Sequence, residues 1–443
     1  MSDYVPPADG IEGRCTEAWC SNQVIESFRI AFEVFLDRAE TAEIFVDLLD
    51  CGNWIHTPPR IKHKPGDRPS SYNDKPLLRE VLRFWQDVGG IANADQITRW
   101  LDRSREEISE LKREGKPEAA EARRAKYLGD LCQAYQIQVQ MTRRSGHEIH
   151  YRHSHRVQSS GRLYEPGLQA CSNLMKDFAF SLSDREIYNY DLKDSQLRIL
   201  LRVIDIVNSL SPGETSKIDK SVLQEYLERD RSEHMQAAGL NPDFRKDVKL
   251  YKRVVTSLQF GAPLPGRFSV DVPSIQDLRK GRTSAITSAI LLHSNRRTWR
   301  AIEIWKDLKP IVEPLARTVF KPLRAALRKE LPRYRNEEFD VLLQVKSGRG
   351  GKVVRNACGC TMRISNNSLS AAEGRRVLAF LTQGAEAALI HGITLHCAEL
   401  DGVSPLSNQH DGLVTDGEIP EDVIAEEAQR LGLEEVVLRH KGF

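Results

Sequence analysis

Tyr190-Asp191-Leu192-Lys193-Asp194-Ser195-Gln196-Leu197-Arg198-Ile199 joins two local patterns in ten residues. Ile187 to Leu192 alternates like a short strand and carries Asp191 near its end, and Gln196 to Leu210 then follows a helical period. A second aspartate recurs far downstream in Gln409-His410-Asp411-Gly412-Leu413-Val414, inside a strand-turn-strand reading over 406–415. Two carboxylates delivered by strands from distant parts of a chain are what a two-magnesium phosphoryl-transfer site needs, because hard oxygen ligands hold such ions. For either stretch alone a plainer reading stands: a capped amphipathic helix after Asp191, and a turn at Asp411-Gly412.

Working outward, the 443 residues suggest about two to three domains with ample core. Charged residues make up 28% and hydrophobic residues 40%, an ordinary globular balance. The net charge of +2 conceals local stripes: Arg143 to Arg162 reads RRSGHEIHYRHSHRVQSSGR with Glu148 its only acid, and Lys246 to Arg253 is also basic. Such stripes on a near-neutral chain point to a phosphate-tracking groove. No apolar run approaches ~20 residues, so no membrane span is expected. The start lacks the order of a secretory signal, and the eight scattered cysteines suit reduced thiols; a cytoplasmic location is expected.

Phe28, Phe32 and Phe35 suggest one buried helix face in the N-terminal region 1–92, whose role the sequence leaves open. Ile97, Leu101, Ile108 and Leu111 predict a helix that Gly115-Lys116-Pro117 breaks, and Ala120, Tyr127, Leu131 and Tyr135 carry a second helix back. Helices are predicted over 244–258 and 275–331, the latter interrupted by Pro310, Pro314 and Pro322. Phe339 to Val345 reads as one strand with Arg363-Ile364-Ser365 as its partner, 371–395 as a long helix, and 435–440 as a last strand. Strands separated by helices describe an α+β core with helical lobes. Cys15, Cys20, Cys51 and His56 match no familiar zinc spacing, Cys358-Gly359-Cys360 reads as two thiols in a turn, and Ser347 to Lys352 lacks the context of a nucleotide loop.

Four stretches in order resemble the family A DNA polymerases, over residues 159 to 414. Ser159-Ser160-Gly161-Arg162-Leu163, trailed by Leu168-Gln169, is similar to the family's threonine-glycine-arginine-leucine segment. Asp191 through Ile199 is similar to its motif A. Lys252-Arg253-Val254-Val255-Thr256-Ser257-Leu258-Gln259-Phe260-Gly261 resembles motif B. Gln383-Gly384-Ala385-Glu386 resembles the glutamine-glycine helix, and Gln409-His410-Asp411 resembles motif C.

The resemblance implies a right-hand fold with an antiparallel palm sheet and mostly helical lobes: a thumb-like hairpin at 93–149, palm at 150–205 and 336–443, and fingers at 206–335. It implies two Mg2+ ions on Asp191, Asp411 and the Leu192 carbonyl, with Lys252 as the catalytic cation beside the nucleotide phosphates. Substrate contacts are expected from Gln196, Phe260 and Arg198. The family's arginine four residues before the lysine is Val248 here, so either Arg245 or Lys249 would supply that contact. Arg162, Gln169, Gln383 and His410 are expected on primer-template nucleic acid; His410 reads equally as a turn histidine. Donors aimed at the minor groove test pair geometry without reading sequence.

Two departures bear on the sugar. Gln196 stands where DNA-making members carry glutamate, and Phe260 replaces tyrosine. Ala379 stands where the family often has asparagine. Gln196-Leu197-Arg198 and the short Arg162-to-Asp191 spacing resemble the DNA-making branch, so template-directed extension of a primer with dNTPs is expected. Phe260 and Gln196 motivate an NTP-using RNA or primer-synthesising polymerase as the alternative, and an inactive DNA-binding relative is a third. About 92 residues precede the hairpin, and Asp47 and Asp50 form no convincing carboxylate set, so no proofreading exonuclease is expected.

Overall fold

Pro76 can open a helix because its missing N–H would have no intrahelical partner there. The helix that follows, α1 (Pro76–Val88), buries Leu78, Val81, Leu82 and Trp85 along one face. A computed structural model describes residues 66–442 apart from 166, 183–184, 211–216, 267–283, 349–350 and 434. The Phe28, Phe32 and Phe35 face, Asp47 and Asp50, and the Cys15, Cys20, Cys51 and His56 set lie outside the described residues.

Strand β1 (Gly90–Asn93) ends on Asn93, whose side chain accepts the Gln96 N–H at 3.1 Å and so caps α2 (Ala94–Arg113). Ile97, Leu101 and Ile108 are buried as their spacing predicts. The chain reverses at Gly115 (φ +69°) into α3 (Pro117–Val139), which buries Ala120, Leu131 and Tyr135. Trp100 donates its indole N–H to buried Asp130 at 2.9 Å across this hairpin. Asp130 also accepts from the Ser172 N–H and hydroxyl at 2.8 and 2.7 Å, which anchors the hairpin to the start of α4 (Asn173–Ala179).

The basic stripe after α3 contains strands that its charges conceal. β2 (Met141–Ser145) and β3 (Glu148–Tyr151) join β1 in an antiparallel sheet of order β1-β3-β2, with Ile149 and Tyr151 buried. A two-stranded pair follows, β4 (Arg156–Val157) with β5 (Leu163–Tyr164).

β6 (Tyr188–Lys193) and α5 (Ser195–Leu210) realise the opening motif as a strand-to-helix turn. Then come α6 (Ser221–Glu228), α7 (Arg231–Ala237), α8 (Arg245–Gln259), α9 (Ala285–His293), α10 (Thr298–Pro314) and α11 (Lys321–Glu330). The expected break at Pro310 does not occur, and α10 runs through it. After Pro314 the helix widens into a π-helical turn, Leu315–Phe320. A missing N–H and a ring crowding the preceding turn account for such a local rearrangement.

Phe339 to Val345 is not one strand. β7 (Glu337–Asp340) and β8 (Leu343–Gly348) form a tight hairpin, because Asp340 accepts the Leu342 N–H at 3.0 Å and turns the chain. The partner expected from Arg363 and Ile364, β10 (Thr361–Ile364), pairs instead with β9 (Gly351–Arg355), giving the order β10-β9-β8-β7. Cys358 and Cys360 lie as buried thiols in the turn between them.

A capping box between Ser370 and Glu373 starts α12 (Ala371–Cys397). This helix is long and apolar enough to cross a bilayer, yet 89% of that window is buried inside the protein, so it serves as the central core helix. It packs on α1, α5, α11 and α13 (Glu421–Arg430). β11 (Pro405–Asn408), β12 (Gly412–Thr415) and β13 (Val437–Lys441) complete an antiparallel sheet of order β11-β12-β6-β13. The architecture is mixed helix and antiparallel sheet, as the sequence predicts.

Gly412 is held to glycine by the approach of β12 to β6. A Cβ there would sit 2.0 Å from the Tyr190 carbonyl oxygen. Gly412→Ala is expected to destabilise by about 1–3 kcal/mol as the strands are pushed apart. A urea midpoint equal to that of the parent would refute this.

Candidate functional site

β6 is flanked by β12 and β13, and this pairing sets the site. Gly412 and Arg439 are both in register with Asp191. The Leu192 N–H donates to the Asp411 carbonyl at 2.8 Å, which fixes the Asp411 backbone across from β6. Asp411 leaves a tight turn in which the Gln409 N–H reaches the Gly412 carbonyl at 3.0 Å. His410 takes φ +69° there, an uncommon conformation for a residue with a side chain, and its N–H bonds Asn408 Oδ1 at 3.0 Å. The two aspartates named by the sequence are therefore neighbours on adjacent strand ends.

Their electrostatics agree with that placement. Asp191 is half-buried, and burial together with the Asp411 charge raises its carboxyl above the ordinary value. Lys441 on β13 opposes this with an ion pair to Asp191 Oδ1 at 2.8 Å, and the Lys252 charge opposes it too. Two crowded carboxylates, one already drawing an ammonium group, fit the donor set of a hard divalent cation.

Cations surround the pair. Lys252 projects from α8 with an exposed side chain; partial desolvation, then Arg231 and Lys441, lower its pKa, while Asp191 and Asp194 oppose the shift. Arg231 reaches Asp194 Oδ1 at 2.5 Å, immediately after β6. Lys176 on α4 bonds the Gln409 amide oxygen, and its pKa is lowered by burial and by Lys441. Lys441, Lys176 and Arg231 were not among the residues expected from sequence. Lys441 lies at the exposed end of the last strand, and nothing local says that it meets Asp191.

A second group forms behind the turn. Arg162 is ion-paired to Glu386, which is 1% exposed, and Ser195 at the start of α5 donates its hydroxyl to the same carboxylate. Glu386 lies one helical turn after half-buried Gln383 on α12. The His410 ring stacks on Tyr164 with centroids 6.1 Å apart. Burial, with Arg162 and Lys176 nearby, pushes His410 down to about 4, so it is neutral at pH 7.

Not every expected residue faces this space. Gln169 is buried: its carbonyl oxygen accepts the Glu165 N–H at 2.6 Å, and its amide nitrogen donates to the Leu163 and Asn408 carbonyls at 3.1 and 2.9 Å. It ties β5 to β11 with its amide group buried. Arg198 donates to the Glu435 carbonyl at 2.9 Å, fastening the approach to β13. Arg245 and Lys249 are exposed on the Lys252 helix and make no ion pair among the described residues. The Arg245 charge is felt by Lys126 on α3.

Gln196 is half-buried in the first turn of α5. Phe260 is half-buried at the end of α8. Arg324 secures that end by donating to the Leu258 and Gln259 carbonyls at 3.0 and 2.8 Å. Gly261 (φ +90°) lies against Arg375, whose Cδ a Cβ would meet at 2.6 Å.

No family model matches this sequence. No curated protein matches it either. Among solved structures, the fold is similar to the POL domain of Pol1 from M. smegmatis in complex with DNA primer-template and dNTP, at 12% sequence identity and a TM-score of 0.46. That match covers 83% of this chain and 69% of the other.

Proposed function

We propose that this chain is a nucleic-acid polymerase of right-hand architecture that extends a primer 3′-end on a template with dNTPs. The observation that carries the reading is the juxtaposition of Asp191 and Asp411 across β6 and β12, with the Lys252 charge acting on Asp191. In this assignment the β11-β12-β6-β13 sheet belongs to the palm at 150–205 and 336–443. The helices of 206–335 are the fingers, and the hairpin of 93–149 is the thumb. The four ordered motifs support the same assignment, because each falls on an element suited to its role.

Asp191, Asp411 and the Leu192 carbonyl would hold Mg2+. When bound, the ions would lower the pKa of the primer hydroxyl and neutralise triphosphate charge. The chain's own groups do the rest. Lys252, with its lowered pKa, neutralises phosphate and gives up a proton to departing pyrophosphate more readily than an ordinary lysine. Lys176, Lys441 and Arg231 add positive charge around the carboxylates, which favours an anionic substrate. Arg162 and Gln383 provide donors for the minor groove of the terminal pair. Phe260 offers an apolar ring against which a base stacks.

Primer extension on one DNA template with dNTPs and then with NTPs tests this reading. Incorporation of dNTPs is expected to exceed that of NTPs by about 100-fold, the discrimination a well-packed site reaches against an added hydroxyl. Equal or better use of NTPs would transfer the assignment to an RNA- or primer-making enzyme. That reading draws on Gln196 and Phe260 at the sugar positions. No extension with either, alongside intact primer-template binding, would favour a polymerase-like binding protein.

A further inference from the structure

The His153-Ser154-His155 segment, part of the basic stripe, is buried rather than arrayed along a groove. His153, His155 and Glu165 are 4%, 3% and 0% exposed. The topology explains why they meet. Arg156 pairs with Tyr164 in the β4–β5 ladder, so the next positions outward, His155 and Glu165, lie side by side at its open end. His153 stands two residues before His155, which returns its side chain to the same side of an extended chain. One nitrogen from each histidine and one Glu165 oxygen all lie within 4.8 Å of one another.

This cluster is poorly satisfied by the protein alone. His153 Nδ1 and Glu165 Oε1 share one hydrogen bond at 2.6 Å. His153 Nε2, both nitrogens of His155 and Glu165 Oε2 are buried without a hydrogen-bond partner among the described residues. Trp85 and Tyr151 wall the site, with ring centroids 5.0 and 5.3 Å from the His153 ring. Each buried orphan of this kind costs free energy, and a carboxylate in such a place calls for a positive partner.

We propose that His153, His155 and Glu165 bind one first-row divalent cation, with zinc the favoured ion, at a structural site distinct from Asp191 and Asp411. Two imidazoles and a carboxylate are a borderline donor set of the kind zinc takes, whereas magnesium prefers oxygen alone. The site is buried, its three donors leaving one position of a tetrahedral ion for water, and its role follows from what it joins. It pins the β4–β5 pair, which carries Arg162 and Tyr164 to the His410 turn, against α1 and β3 through Trp85 and Tyr151. This inference does not depend on the polymerase reading and can stand if that reading fails.

The test uses the full chain stripped with a chelator and then loaded with Zn2+ or Co2+. About one tightly held zinc per chain is expected after dialysis, with a rise in melting temperature on reloading. Cobalt is expected to give visible d–d bands without the near-ultraviolet charge transfer that thiolate ligands produce. His153→Gln with His155→Gln is expected to weaken zinc binding at least about 100-fold and remove the cobalt bands. If that variant folds poorly, the parent's cobalt spectrum and metal-dependent melting decide by themselves. A parent chain that holds no zinc and melts identically with and without it would overturn the proposal. So would a thiolate charge-transfer band, which would place the cation on cysteines.

Discussion

Asp191→Asn is expected to abolish primer extension while leaving the chain, without magnesium, at least as stable as the parent at pH 7. The two effects share one cause. Burial and the neighbouring Asp411 raise the Asp191 pKa on folding, so the ionised form is disfavoured in the folded state. An acid whose pKa is raised by folding costs stability at every pH above its unfolded value, and the cost fades as pH falls and the group protonates. Removing the charge removes that cost. The lost ion pair to Lys441 offsets little of the gain, because the Lys441 side chain is 45% exposed and such pairs are weak in water.

Activity moves the other way. Losing one of two ion-holding carboxylates is expected to lower kcat by at least about 1,000-fold. In the parent, extension should decline on acidification at a pH above the ordinary carboxylate range, since Asp191 must be ionised to hold a cation. Single-turnover extension and thermal melts from pH 5 to 8, with and without Mg2+, read both effects. A variant that extends primers at the parental rate would show the site to be misplaced. One that melts well below the parent at pH 7 would show that Asp191 supports the fold instead.

Glu386→Ala should produce the largest loss of stability among single substitutions near the site. Glu386 is buried in α12 and accepts from Arg162 beside β5 and from Ser195 at the start of α5. It therefore joins the three segments that carry Arg162, Asp191 and Gln383. Truncating it leaves a largely buried guanidinium without its counter-ion, a change that typically costs about 3–5 kcal/mol. Glu386→Gln keeps the shape and an acceptor for Ser195 and should lose less. Urea denaturation compares the three chains, and an unchanged midpoint for Glu386→Ala would show that the pair contributes nothing. Because Arg162 loses its anchor, the same variant should also bind primer-template more weakly.

The elements legible in the sequence were those whose signals are local. β6 followed by α5, the α2–α3 hairpin broken at Gly115, α8, and the β11–β12 turn all show their period or turn chemistry within a few residues. The β2–β3 hairpin was hidden because most of its residues are polar or charged, and only Ile149 and Tyr151 are buried. The single strand expected at 339–345 divided because one side-chain hydrogen bond from Leu342 to Asp340 outweighs the alternation. The Pro310 break failed because an exposed proline near a helix end can be absorbed locally, whereas Pro314 leads into the π turn.

By itself, the sequence determined that Asp191, Lys252 and Asp411 exist in an order and local setting suited to phosphoryl transfer. Only the tertiary structure decided what each polar group meets. Gln169 and Arg198 have the chemistry of ligand contacts and donate to backbone carbonyls. Lys441 and Lys176 join the site from segments with no local mark of it, and Glu386, inside the glutamine-glycine stretch, is seen to hold Arg162 and Ser195 only in the fold. His153 and His155 looked like part of a basic stripe and became a buried cluster once β4 paired with β5. The physical reason is range. Periodicity and turn chemistry act over a few residues and are written in the sequence directly, whereas burial, ion pairing and pKa depend on partners that only folding brings within a few ångströms.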